Sequence, residues 1–233
     1  MRLDKYLAHA QLGTRKEVKK LIRSKRVRVN DEICTKEDRQ LQKEDCVYVD
    51  DELLVYDELV YLMLYKPQGV ISATEDRVHT TVMDIFDAPL PKNCFPVGRL
   101  DIDSEGLLLI TNDGQLAHQL LSPKKHVDKT YYVECEKTLS SEDLQLLESG
   151  TIQLDKEHVL PAQAKRISAN SLYLTIQEGK FHQVKRMLQA CGNKVCYLKR
   201  ISMGSLQLDK SLAPGEWRYL SEEEIRGLKQ CLR

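Results

Sequence analysis

The 233-residue chain has no long apolar run, no C-x-x-C pair and no glycine-rich phosphate loop, and each absence removes a class of function. No stretch approaches the roughly 20 consecutive apolar residues of a membrane span. The first residues are basic and amphipathic and lack an apolar signal core, so no membrane partner is expected. The seven cysteines, at positions 34, 46, 94, 135, 191, 196 and 231, are odd in number and never spaced as metal ligands. That argues against a disulfide framework and a zinc site, and for a reducing cytoplasm. There is no H-E-x-x-H motif and no nucleophile triad, so metal hydrolysis and serine chemistry lack their signatures. The composition calls for no cofactor and no metal. The length accommodates two domains, one small and one with a sizeable core.

What the chain has instead is charge that cancels only in total. Residues 1 to 30 carry ten Lys or Arg against two acids, whereas residues 31 to 58 carry three against eleven. Thr14 and Glu17 form a capping box that opens a helix running to about Lys25. Val18, Leu21 and Ile22 share one arc of it, and Arg15, Lys16, Lys19, Lys20, Arg23 and Arg26 fill an adjacent arc. Almost no acids are interspersed to form i,i+4 pairs, so the repulsion goes uncompensated unless phosphate is the partner. Arg2, Lys5, Arg15, Lys16, Lys19, Arg23 and Arg26 are the candidate phosphate contacts. A first helix from Leu3 to Ala10 precedes the basic one, and short strands near Val27 to Val29, Glu32 to Thr35 and Val47 to Val49 follow it. The acidic stretch DDELLVYDE, residues 50–58, reads as a linker, which puts the domain boundary between residues 1–58 and 59–233.

Three motifs stand out in the second part. In GRLDIDSEGLLLITNDG, residues 98–114, Asp101 sits in a polar turn that leads into Leu107 to Ile110, a strand buried on both faces. A carboxylate at the lip of such a strand is rigid and partly desolvated. Asp101, Asp103 and Glu105 also imitate the start of a calcium loop, but the twelfth position is Asn112 rather than a bidentate Glu. A solvated acidic turn without a task is the other plain reading. Upstream, Tyr61 to Tyr65 reads as a strand broken by Pro67 and Gly69 before resuming at Val70 to Ser72. Further on, Gln115 to Leu121 reads as a short helix and TYYVEC as a strand with Tyr131 and Val133 on one face and Tyr132 on the other. Leu172 to Ile176 is a strand, and Phe181 to Cys191 a helix closed by Gly192. His182, with no second His at ligand spacing, reads as a hydrogen-bonded core residue. Ser221 and Glu224 cap a last helix docked by Ile225, Leu228 and Leu232.

Together these motifs resemble the pseudouridine synthases, in the family that modifies ribosomal RNA and carries an S4-like N-terminal domain. The resemblance covers nearly the whole chain. It implies an α+β protein: a small S4-like α/β RNA-binding domain followed by a catalytic domain on a mixed, mainly antiparallel sheet flanked by helices. Asp101 matches the catalytic aspartate, which attacks the sugar carbon or takes its neighbouring proton. Lys66, Pro67 and Gly69 match K-P-x-G, where Lys66 touches RNA or only an acid. Lys129 and Tyr131 match K-x-Y, placing Tyr131 against the target uracil. In E-G-K-F-H-Q-V-K-R-M, residues 178–187, Lys185 matches the basic partner of the aspartate, with Arg186 beside it. Arg99 either holds the phosphate of the flipped nucleotide or pairs with Asp103 or Glu105. The motifs look closest to members acting on small-subunit 16S RNA, at a site of the uridine-516 type. The implied partner is 16S ribosomal RNA or a small-subunit assembly intermediate, and the implied state a cytoplasmic monomer. Members acting on 23S RNA are the runner-up. A glycoside hydrolase using Asp101 with Asp103 or Glu105 fits poorly with one Trp and three Phe to line a sugar cleft. A catalytically dead RNA-binding protein would have lost Asp101, Tyr131 or Lys185.

Overall fold

The computed structural model describes residues 2–10, 12–42, 44–54, 59–87, 90 and 93–232, with His9 by its backbone alone. It comprises two compact units, Met1–Glu58 and Leu59–Arg233. In the first, helices α1 (Leu3–His9) and α2 (Arg15–Arg23) precede four short strands, β1 (Val27–Val29), β2 (Glu32–Ile33), β3 (Val47–Val49) and β4 (Glu52–Leu54). The strands pair antiparallel in the order β2-β1-β3-β4. The Thr14 capping box opens α2, and Val18 and Ile22 turn inward to pack with Leu3, Leu7, Val27 and Val29. Part of the linker reading is corrected here. Glu52–Leu54 is a strand because its backbone completes the ladder begun by Val47–Val49. Residues 55–58 of that stretch lie outside the described residues.

The second unit is built on a sheet with main path β11-β12-β8-β13-β7-β5-β15. Its strands in chain order are β5 (Tyr61–Lys66), β6 (Phe95–Pro96), β7 (Glu105–Thr111), β8 (Lys129–Cys135), the hairpin β9 (Gln153–Leu154) and β10 (Glu157–His158), β11 (Gln163–Arg166), β12 (Ser171–Ile176), β13 (Val195–Met203), β14 (Leu206–Gln207) and β15 (Trp217–Tyr219). The β9–β10 hairpin forms its own small sheet, while β6 and β14 add to β7 and β13 at the side. Helices α3 (Gly114–Leu121), α4 (Ser141–Glu148), α5 (Gln183–Ala190) and α6 (Glu222–Gln230) complete the unit. Pairing is antiparallel except between β7 and β13, so the sheet is mixed.

Strand β7 is the inner wall of both halves. Leu107 and Leu109 join one core with Met63, Leu116 and Leu228, while Leu108 and Ile110 join another with Leu62, Leu64 and Val82. All four leucine and isoleucine side chains are fully buried, each stabilising the fold by about 1.5–3 kcal/mol. The two motif segments expected to be longer are shorter. Val70–Ser72 makes only a single parallel bridge, Ile71 to Thr81, because Ser72 turns its hydroxyl to the Leu100 backbone instead. Helix α5 starts at Gln183, since His182 ahead of it is in the left-handed region at φ 48°.

The parallel contact has a tight requirement at Gly106. Its φ is +106°, and a Cβ there would stand 2.2 Å from the Arg200 carbonyl oxygen of β13. Gly106→Ala therefore meets both backbone strain and an overlap with backbone that cannot swing away. A loss of about 3 kcal/mol or more is expected, read as a large drop in the thermal midpoint of the second unit. A midpoint within a degree or two of the parent would show that β13 can retreat at no cost.

Candidate active site in the second unit

The loop from Gly98 to Ser104, just ahead of β7, is held from several directions. Lys66, the last residue of β5, is completely buried, at 0% exposure. Its Nζ donates to the carbonyls of Pro67 at 3.0 Å, Asp101 at 3.0 Å and Ser104 at 2.8 Å. The Pro67–Gly69 turn adds a bond from Gly69 N–H to the Ile102 carbonyl at 2.7 Å. Ser72 Oγ both donates to the Leu100 carbonyl and accepts from the Leu100 N–H, each at 3.0 Å. The backbone of the turn is thus fixed, and the Asp101 side chain projects from it, half-buried.

Two residues of the α5 segment meet that carboxylate. Lys185 Nζ lies 2.8 Å from Asp101 Oδ2 and 2.6 Å from Asp103 Oδ1. His182 Nε2 lies 3.5 Å from Asp101 Oδ1. Burial acts to lower the Lys185 ammonium, but its hydrogen bonds to Asp101 and Asp103 outweigh it and hold it above the ordinary lysine value. Asp103 is likewise kept low, its desolvation being outweighed by Lys185. The approach of α5 is set by a buried pair: Gln183 Nε2 donates to Glu178 Oε1 at 2.8 Å, and that oxygen also accepts the Leu160 N–H at 2.9 Å. Arg186 points elsewhere, pairing with Asp155 at 2.8 Å.

The sheet supplies the rest. Along β8 the inward positions are Lys129, Tyr131, Val133 and Cys135. Tyr132 faces the other way, its hydroxyl on Glu134 and its ring near Tyr173 and Tyr197. Lys129 is 5% exposed and donates to the Val127 carbonyl at 2.9 Å. Burial, reinforced by the Arg200 charge, pushes its ammonium down to about 8. Asp101, Tyr131, Lys129, Arg99 and His182 all line one cavity of about 890 Å³, a size suited to a small-molecule or nucleotide ligand. Arg99 is exposed on its wall and makes no ion pair with Asp103 or Glu105 among the described residues. Glu105 instead accepts from Tyr65 Oη at 2.8 Å and from Tyr197 Oη. Asp101 and Asp103 thus meet on Lys185, while Glu105 is engaged by the two tyrosines.

Several expectations change in this setting. Lys66 does not reach solvent and cannot touch RNA, because its ammonium is consumed by the three loop carbonyls. His182 is not a core residue. It is exposed, stacked on Phe181 at 3.8 Å between ring centroids, and both rings line the cavity. Sequence reading also passed over Arg200, which is 2% exposed and on the same cavity wall. A charged residue between Leu198 and Ser202, in the inward phase of β13, was the available signal. In the first unit, the basic face is less bare than helical spacing implies. Glu37 pairs with Lys19 at 3.1 Å and Arg23 at 2.6 Å, Arg26 pairs with Asp50, and Arg2 with Asp4 at 2.9 Å. These acids are supplied by the following segment or by α1 itself, not by i,i+4 neighbours. Lys5, Arg15 and Lys16 are exposed and outside any ion pair among the described residues.

Replacing Lys66 by Met leaves three loop carbonyls without their donor. The thermal midpoint should fall, by about 3 kcal/mol in stability, while RNA affinity and its salt dependence stay unchanged. A weaker, less salt-dependent RNA complex from a stable Lys66→Met protein would restore Lys66 as an RNA contact.

Comparison with known proteins places this arrangement. Residues 60–190 match the family model for RNA pseudouridylate synthase, and residues 1–47 that for the S4 domain. An uncharacterized RNA pseudouridine synthase of Bacillus subtilis is 48% identical, over 99% of this chain and 99% of its own. The ribosomal small subunit pseudouridine synthase A of Escherichia coli is 42% identical, over 97% of this chain and 98% of its own. A crystal structure of a pseudouridylate synthase superposes with a TM-score of 0.72 at 40% identity, covering 98% of this chain and 99% of that one. The chain belongs to the RNA pseudouridylate synthase family and is a pseudouridine synthase with an N-terminal S4 domain.

Proposed function

We propose that the protein converts one uridine of small-subunit 16S ribosomal RNA to pseudouridine in the cytoplasm, with Asp101 as the catalytic carboxylate. The observation that carries the reading is the half-buried Asp101–Lys185 pair, at 2.8 Å, on a cavity that Tyr131 also lines. Isomerisation breaks the N1–C1′ bond, turns the uracil, and joins its C5 to the same carbon, after which C5 loses its proton and N1 takes one up. Asp101 either attacks C1′ or takes the neighbouring C2′ proton. Lys185 pairs with the carboxylate and aims it. Tyr131 lies where the detached ring can rest, and its hydroxyl has no hydrogen-bond partner among the described residues. A base inside a helix cannot enter such a cavity, so the target is unpaired or flipped out. Arg99, at the wall, suits the phosphate of that nucleotide. The S4 unit contributes phosphate contacts through Arg15, Lys16 and Lys5, with Lys19, Arg23, Arg26 and Arg2 able to exchange their carboxylate partners for phosphate. The 16S choice is supported by the similarity to small-subunit synthases across their full length.

Mapping pseudouridine in ribosomal RNA from cells with and without the protein tests the substrate. Loss of one 16S site on deletion is expected, whereas loss only in 23S RNA would move the enzyme to the large subunit. Purified protein should convert the same site with chelator present. Asp101→Asn should lower single-turnover conversion by at least about 10⁴-fold while RNA binding persists, since the amide can neither attack nor take a proton. Substantial product from that variant would remove Asp101 from the reaction.

Lys129 gives a pH signature. Its ammonium, held down to about 8, is charged at neutral pH and loses its proton as pH rises through that value. The single-turnover rate should therefore fall above pH 8 in the parent. Lys129→Arg, which stays charged, should remove that limb. A limb that persists in the variant would belong to another group, such as Lys66, also pushed by burial to about 8.

A further inference from the structure

We infer that Arg200 binds the flipped uracil, donating from its guanidinium to a carbonyl oxygen of the base and holding the negative charge that the ring acquires as the N1–C1′ bond breaks. This deepens the pseudouridine reading and rests on it. By either role of Asp101, the electron pair of the breaking bond stays on uracil, where it spreads from N1 onto O2 and O4. The sugar carbon is taken by the carboxylate or becomes part of a double bond to C2′ when that proton leaves. A donor fixed at those oxygens is therefore used more in the transition state than in the bound substrate.

Arg200 is built for such a task and has no other visible one. It is 2% exposed on the wall of the Asp101 cavity. Nε donates to the Leu107 carbonyl at 2.7 Å, which fixes the plane of the guanidinium against β7. Nη2 is buried without a hydrogen-bond partner among the described residues. No carboxylate pairs with it among the described residues: Asp101 is taken by Lys185, and Glu105 by Tyr65 and Tyr197. A buried cation left without an anion is costly, so an oxygen-bearing ligand is its natural complement. Lys129 stands close enough for the Arg200 charge to act on it, and it too lacks a carboxylate bond, so two cations face the same space.

Position selects the base over the phosphate. Arg200 is directly opposite Tyr131 in the β13–β8 ladder, so their Cα atoms are about 5 Å apart. A ring lying against Tyr131 presents its edge to Arg200. Phosphate remains hydrated and is served by Arg99, which is exposed. Gly106 makes the placement possible: it is opposite Arg200 in the parallel ladder and has no side chain to hold β13 away.

The test couples the side chain to the base oxygens. RNA fragments spanning the site found by mapping, whichever subunit it lies in, are made with uridine, 2-thiouridine or 4-thiouridine at the target. Sulfur accepts hydrogen bonds poorly, so the parent enzyme should be slower, by about tenfold or more, on one of the two thio fragments. Arg200→Gln should be slower by about 10²–10³-fold on the uridine fragment and show a thio effect close to one. Arg200→Lys, which keeps charge but loses the fork, should fall between and carries the test if Arg200→Gln does not fold. A thio effect of the parent size in both variants, or none at either oxygen in the parent, would overturn the inference. So would a variant with its thio effect intact and the log-log salt slope of binding reduced by about 0.7, which is the mark of a phosphate contact. Conversion of uridine fragments by the parent is measured alongside. A parent that converts none would overturn the pseudouridine reading first, and this inference with it.

Discussion

One row across the sheet governs the site. Lys66, Gly106, Arg200 and Tyr131 stand opposite one another on β5, β7, β13 and β8. Gly106 has no side chain, and the backbones of β7 and β13 close on each other there more tightly than any Cβ allows. That closeness brings two buried cations to either side of a bare strand. Lys66 turns to the loop carbonyls and fixes the turn that carries Asp101. Arg200 turns to the cavity. The row is rigid because β7 is packed on both faces, so the loop ahead of it inherits a fixed origin.

The two units handle charge in opposite ways. In the first, the cations are exposed and their carboxylate partners are reached over the surface, in pairs that contribute about 0–1 kcal/mol each. Such pairs are readily traded for phosphate when a polyanion approaches, and the trade changes affinity without demanding a single geometry. At the site in the second unit Lys66, Lys129 and Arg200 are buried and donate to backbone carbonyls, while Lys185 is shared by two carboxylates. Lys66 and Lys129 are both almost fully buried, and that burial pushes each ammonium down to about 8. Attachment to RNA can thus be diffuse while the chemistry is confined.

The sequence was most legible where the site is contiguous. A polar turn entering an apolar run located Asp101 and a strand buried on both faces, because burial on two sides leaves no alternation to misread. The capping boxes at Thr14 and Ser221 fixed helix starts for a similarly local reason. What stayed hidden depends on pairing across distance. Strand β4 looked like linker since its acids dominate the composition, and only the β3 ladder makes it a strand. Glu37 pairs with Lys19 and Arg23 of α2, and Asp50 with Arg26 beyond its end, from outside the helix, where i,i+4 spacing does not look. Lys66 was read as touching RNA or only an acid because its three acceptors are carbonyls, which carry no residue signature. His182 was read as core for want of a second His at ligand spacing, and the left-handed residue that leaves it ahead of α5 has no signature in helical periodicity.

The His182 turn also explains how one short segment serves two walls. A helix continued back through Phe181 would place residues 181 and 185 one turn apart, on the same face. The left-handed residue breaks that relation. Lys185, inside the helix, meets the Asp101 carboxylate from one side while His182 approaches its other oxygen. Phe181, stacked on His182, is left 69% exposed at the cavity. An aromatic pair so exposed is poorly used by the fold itself, and a nucleobase is the surface that complements it. The strain at residue 182 therefore arranges three groups about one opening, two on the carboxylate and one toward the incoming RNA, from the five residues Phe181 to Lys185.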